Sequence, residues 1–374
     1  MTEIVKIVRQ AVQEAGILPF SEFMRLALYC PKYGYYEQTG GQIGRRGDFY
    51  TSVSVGPLFG ELLAFQFAEW LKPISAGPFQ LVEAGAHDGQ LAADILGWFT
   101  EWRPEIVPFL QYWIIEPSAR RQACQRSKLE KFAHHVRWAE SLQALPPGGV
   151  RGIIFSNELL DSFPVHRLGW DVQAGRWFEW GVALNNSNAS KAAFPGDFVW
   201  QRIPRPPDYL GDALRLAGLV PGDAAAVLPD GFTIEICPEA GDWLRQAASE
   251  LQEGKLLTID YGYEAEQFLT PERVGGTLRG YYRHHANLDL LAHVGEQDLT
   301  AHVNFTQLRR QGEEAGLRTE GFGSQEHFFT RILPQTLKPG SNFGEWRSAR
   351  ARQFQTLIHP QHLGRAFSVL VQAR

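Results

Sequence analysis

The sequence predicts an α/β fold with a doubly wound sheet, and three observations carry that expectation. An apolar run, Phe79 to Val82, leads into a glycine turn and then a helical stripe of Leu91, Ala92, Ile95 and Leu96. Three further apolar runs follow, Gln111–Glu116, Arg151–Glu158 and Leu256–Gly262, and each ends in acidic or polar residues. Strands that alternate with helical signals and end in turns are the rhythm of βα units.

Residues 1–75 precede this rhythm and read as an N-terminal helical region. Ile4, Val5, Val8 and Val12 space as one helical face. Ser21 is expected to open a second helix, and Pro57 stands in the first turn of a third. That third helix, Leu58–Leu71, is apolar on most sides and should be buried. The glycine-rich stretch Gly40–Ser52 has the composition of a surface loop, but Asp48, Thr51 and Ser52 also suit a lid over a ligand.

The turn after the first strand reads Glu83-Ala84-Gly85-Ala86-His87-Asp88-Gly89. Glycine accepts positive φ and lets a ligand approach the backbone with no Cβ in the way. The spacing is not the G-x-G-x-x-G of dinucleotide enzymes. An acid about 20 residues past such a turn binds ribose hydroxyls, because a carboxylate only accepts and can take both. Glu116 closes the next strand and fits that role, after a helix over Gln90–Phe99 and a proline loop. Ligands of open α/β sheets sit outside the carboxyl ends of strands, which places Asn157, Glu158 and Asp161 at the mouth of a site.

Residues 166–232 break the rhythm and read as an inserted subdomain that shapes substrate choice. Trp170, Trp177, Phe178 and Trp180 flank a Gln173-Ala174-Gly175 turn, the signature of a hairpin. The remainder, 76–165 and 233–374, forms the core. Within it Asp298, Thr300, His302 and Asn304 alternate with Leu299, Ala301, Val303 and Phe305, as in a strand with one polar face, before a helix capped by Asn304. That polar face either meets water or lines a cleft with His302 near the chemistry, where a near-neutral imidazole serves as acid or base.

Composition excludes several classes. The chain has 374 residues, is 44% hydrophobic and 21% charged, and carries a net charge of −5, so no basic field draws in nucleic acid. Cys30, Cys124 and Cys237 form no metal or disulfide pattern, which suits a reducing cytoplasm. The doublets His134-His135 and His284-His285 lack a zinc constellation, and no run reaches the ~18 apolar residues of a membrane span. No GxSxG elbow and no P-loop lysine are present.

Several motifs together resemble the MidA family of S-adenosylmethionine (SAM)-dependent methyltransferases. They are Gly47–Ser52, Leu58–Leu62, Val82–Gly85, Asn157–His166, Glu235–Ala240, Ile259–Gly262, Gly276–Arg279 and Asp298–Phe305, in that order. The resemblance implies a class I, Rossmann-like methyltransferase with an N-terminal helical region and an insertion. Mitochondrial members of the family are protein arginine methyltransferases needed for assembly of respiratory complex I. By resemblance, SAM is held by Glu83, Gly85, Ala86, His87, Gly89, Glu116, Pro117, Ser141, Leu142, Asn157, Asp48 and Thr51. The segment Arg137–Leu142 is the expected adenine side. One departure stands out: Ala86-His87 replaces the family's usual Pro-Gly.

A guanidinium acceptor matches a carboxylate fork. Glu158 and Asp161 are therefore candidates to orient it, with Asp260 or His302 as a route for its proton. The implied partner is a protein substrate, a 49-kDa-type subunit of an NADH–quinone oxidoreductase; a homodimer is an open expectation. Two other readings are an NAD-dependent dehydrogenase, against which the glycine register counts, and a methyltransferase fold kept as an assembly chaperone.

Overall fold

The computed structural model describes residues 1–38, 51–74, 78–185, 197–203, 205–220, 227–283 and 285–374. Asp48, most of the glycine-rich loop, and His284 lie outside the described residues. The chain divides into two compact units, one of residues 1–49, 161–241 and 263–307, the other of 50–160, 242–262 and 308–374.

The second unit is built on the parallel sheet that the apolar runs predict. Its elements are helix α1 Leu58–Leu71, strand β1 Phe79–Ala84, helix α2 Gln90–Trp102, strand β2 Leu110–Ile115 and helix α3 Ala119–Lys128. Strands β3 Val136–Ala139, β4 Val150–Asn157, β5 Leu251–Tyr263 and β6 Arg318–Ser324 follow, then helices α4 Gln325–Thr336 and α5 Ser348–Ile358 and strand β7 Phe367–Ala373. The sheet order is β6-β7-β5-β4-β1-β2-β3. The strands from β5 to β3 pair in parallel, while β7 runs antiparallel between β5 and β6. Parallel strands are covered on both faces and so need apolar residues on both. Leu81, Val82, Ile153 and Ile154 on neighbouring strands are accordingly fully buried.

Helix α1 packs into this core nearly all round, as its composition requires, with Phe59, Leu62, Leu63 and Phe67 fully buried. Phe67 lies against Phe155 at 5.1 Å between ring centroids, and Phe59 against Phe329 at 5.6 Å. Truncating such a ring to alanine costs about 3–5 kcal/mol.

The first unit joins regions that the sequence reading kept apart. Helix Glu3–Ala15 buries Ile4, Val8 and Val12, as the spacing predicts. Helix Phe20–Tyr29 starts one residue before Ser21, whose hydroxyl is not a cap but lies buried 3.5 Å from His166 Nδ1. The short strand Leu18–Pro19 pairs with Val182 and Gly181 of strand Arg176–Leu184. That strand forms the expected hairpin with His166–Asp171, extended by Thr233–Ile236 and Phe198–Ile203. The N-terminal helices and the insertion thus lie in one compact unit, and residues 263–307 belong with them. No helix among the described residues is long and apolar enough to cross a membrane.

Candidate active site

Strand register brings the sequence-predicted cofactor residues to one edge of the second unit. Ala84 on β1 pairs with Ile115 on β2 and Ser156 on β4, so Gly85, Glu116 and Asn157 leave the sheet side by side. Gly85 and Gly89 take φ of +79° and +86°, and a Cβ at Gly85 would stand 3.0 Å from the Leu159 side chain. The glycines are therefore required by backbone conformation at both places and by space at the first.

His87 also takes a positive φ, +46°. The sequence favours a backbone that any residue adopts, with the imidazole turned from the cofactor; the structure instead puts this histidine in the left-handed region. Its imidazole Nδ1 lies 3.7 Å from Asp88 Oδ1, and the side chain is 40% exposed. Asp88 also accepts from Gln90 N at 3.0 Å, capping α2, and from Lys128. Burial works against the Asp88 charge, but His87 and Lys128 outweigh it and hold the carboxyl well below the usual range.

Glu83, inside the sheet, accepts the Tyr112 hydroxyl, and burial raises its pKa to about 8. Glu116 is buried and accepts from Ser118 N at 3.0 Å and Gln125 Nε2 at 3.1 Å, with Arg121 Nη1 3.9 Å away. Beyond β3, Leu142 is buried in a short turn whose Ser141 carbonyl accepts from Ala144 N at 3.2 Å.

At the end of β4, Asn157 Nδ2 donates to Glu158 Oε1 at 3.1 Å. Asn157 Oδ1 is buried with no hydrogen-bond partner among the described residues. Glu158 holds φ of +52°, a conformation that a non-glycine residue keeps only where its surroundings enforce it. Burial raises the Glu158 carboxyl to about 8; the Asn157 amide and the Ser52 backbone N–H oppose this, and Asp260 adds to it.

Two expected lid residues make hydrogen bonds within the second unit. Thr51 Oγ1 accepts from Ser54 N at 3.2 Å, and the fully buried Ser52 hydroxyl donates to Gln325 at 3.0 Å. Asp260, fully buried, accepts from Leu159 N, Leu160 N and Tyr261 N at 2.8–3.1 Å and so fixes the turn after β4.

In the first unit, Asp161 is buried and its carbonyl accepts from Ala301 N at 2.8 Å. The alternating strand is broken at 301–302, because the His302 N–H turns to Thr277 Oγ1 at 3.1 Å. The apolar face is buried as expected, and Asn304 does cap the following helix through Gln307 N at 3.0 Å. The His302 ring stacks on Tyr263, with centroids 4.6 Å apart. Burial, then the Arg279 charge, lowers its pKa to about 4.

Sequence reasoning missed Gln125. It lies in a very polar helix where no hydropathy pattern marks it, yet it is fully buried. The described residues also give no polar contact for Pro117.

A sheet of this order, with a glycine turn, a strand-end acid and an orphaned amide oxygen on its carboxyl edge, defines a class I methyltransferase. Residues 62–323 match a family described as "Putative S-adenosyl-L-methionine-dependent methyltransferase", and the chain belongs to that family. It is 29% identical over 337 residues to the protein arginine methyltransferase NDUFAF7 homolog, mitochondrial, of Drosophila melanogaster, covering 84% of this chain and 70% of that one. It is 26% identical over 398 residues to the Rattus norvegicus protein arginine methyltransferase NDUFAF7, mitochondrial, covering 98% and 83%. A Burkholderia thailandensis protein crystallised with S-adenosyl-homocysteine superposes with a TM-score of 0.82 at 29% identity, covering 99% of this chain and 92% of that one.

SAM is the cofactor, and the residues present fit it. Glu116 offers an acceptor for ribose hydroxyls, and Asn157 Oδ1 is a buried acceptor that a donor on a ligand would satisfy.

Proposed function

We propose that this protein methylates arginine side chains of a protein substrate, in a role tied to assembly of an NADH–quinone oxidoreductase. The observation that carries the reading is Glu158: a half-buried carboxyl on a left-handed strand end, its pKa raised to about 8. When bound, SAM supplies an activated methyl group for in-line displacement, so the protein's task is alignment and proton removal. A guanidinium is charged when free and loses a proton on methylation. Glu158 is the proposed acceptor of that proton, held by the Asn157 amide and the Ser52 N–H. Asp161 keeps its proposed part as a carboxylate for the acceptor guanidinium.

Around the cofactor, Glu116 binds the ribose, Gly85 and Gly89 admit the methionine portion to the backbone, and Leu142 packs near the adenine. The names of the fly and rat relatives support arginine as the target residue. A 49-kDa-type quinone-side subunit is the proposed partner. The three free cysteines support a reducing, cytoplasmic compartment.

The test is transfer of labelled methyl from SAM to that recombinant subunit, with mass spectrometry to locate it. Methyl on an arginine supports the reading. Tight S-adenosyl-homocysteine binding with no transfer to any subunit of the complex would favour the chaperone reading.

A further inference from the structure

We propose that Gln125 is a positioning residue for the cofactor site: its single buried amide locks the glycine turn, the ribose acid and the adenine-side strand into one geometry. Gln125 Nε2 donates to the His87 carbonyl at 2.9 Å and to Glu116 Oε2 at 3.1 Å. Its Oε1 accepts from Trp138 Nε1 at 2.9 Å. An indole N–H can only donate, so the amide atom facing Trp138 is the oxygen, and the orientation of the whole group follows.

The three partners come from three chain segments: the turn after β1, the end of β2, and β3. A carbonyl and a carboxylate each need a donor, and an indole needs an acceptor. A glutamine amide meets all three at once; glutamate has no donor when ionised, and methionine has none at all. Without the amide, the His87 carbonyl and an oxygen of the buried Glu116 would lose this donor, a costly loss for the buried carboxylate. Leu129, just beyond the helix that carries Gln125, packs where a Cβ on Gly89 would meet it at 3.3 Å, so the same helix end abuts both sides of the turn.

The inference rests on SAM binding at these strand ends. Its test uses the full chain and its Gln125→Glu and Gln125→Met variants. S-adenosyl-homocysteine affinity is read by calorimetry from pH 6 to 8.5, relative to the native protein, with thermal melting as a folding control. Gln125→Met should bind at least tenfold more weakly at every pH. Gln125→Glu should be comparably weak at pH 8 and recover toward pH 6, because a proton shared between the introduced carboxyl and Glu116 restores one bond. A purely structural role would lower the melting temperature without that pH-dependent affinity.

Should Gln125→Glu fail to fold, Trp138→Phe removes the indole N–H together with the five-membered ring, and in a variant with a native melting curve should weaken binding several-fold. Folded variants that bind like the native protein at pH 8 overturn the inference alone. Native protein that binds no S-adenosyl-homocysteine overturns the cofactor reading, and this inference with it.

Discussion

The Tyr112 hydroxyl donates to Glu83 Oε2 across 2.7 Å within the sheet, where both side chains are buried. Burial chiefly raises the Glu83 pKa from 4.5 to about 8. Between those values the native protein holds a proton that the unfolded chain has lost, so stability falls as pH rises through this window. Urea unfolding should show that fall. Glu83→Gln should reduce its slope by one proton's worth, at most about 1.4 kcal/mol per pH unit. An unchanged slope in the variant would show that Glu83 is ionised in the fold.

His87→Gly should stabilise the protein. A left-handed backbone costs a non-glycine residue roughly 1–2 kcal/mol, partly offset by the extra freedom glycine has when unfolded. A gain of about 0.5–1 kcal/mol in urea unfolding is expected, with S-adenosyl-homocysteine affinity changed by less than about tenfold, or ~1.4 kcal/mol. A large gain in affinity, with activity appearing only in the variant, would mean that the imidazole obstructs the site and would favour the chaperone reading.

Glu116→Ala should weaken S-adenosyl-homocysteine binding by roughly 1.5–3 kcal/mol, the usual worth of hydrogen bonds to a charged group. Calorimetry on a variant with a native melting curve is the measurement, and unchanged affinity would remove Glu116 from the ribose role.

Turnover should rise with pH up to about 8, where Glu158 loses its proton and becomes able to accept another. Glu158→Gln should lower turnover by about 10²-fold or more, remove that rise, and leave cofactor affinity nearly intact. A variant with the native pH profile would place the proton acceptor elsewhere.

The second unit was legible where a physical period was present. β1, β2 and β4 each carry a short apolar run that is largely buried, and their ends carry Gly85, Glu116 and Asn157 by register alone. The edge strand β6, Arg-Thr-Glu-Gly-Phe-Gly-Ser, has no such period and went unseen. The grouping of the first unit depends on pairings such as Leu18 with Val182, which local patterns do not encode. Gln125 was invisible for a different reason: its burial is set by three hydrogen-bond partners remote in sequence, not by hydrophobicity. Asp260 and Asp161 were readable as carboxylates at chain turns. Only the structure shows the first bound to the Leu159 and Leu160 amides.

That clamp has a kinetic meaning. Asp260 ties the chain just after Glu158 to the end of β5, while the Glu158 N–H donates to the Ile259 carbonyl at 3.0 Å. The unfavourable backbone of Glu158 is thereby imposed when the polypeptide folds, not when an acceptor arrives. In the role proposed for Glu158, a carboxyl set in advance needs little rearrangement in each catalytic cycle, so the strain is met once per molecule rather than once per turnover.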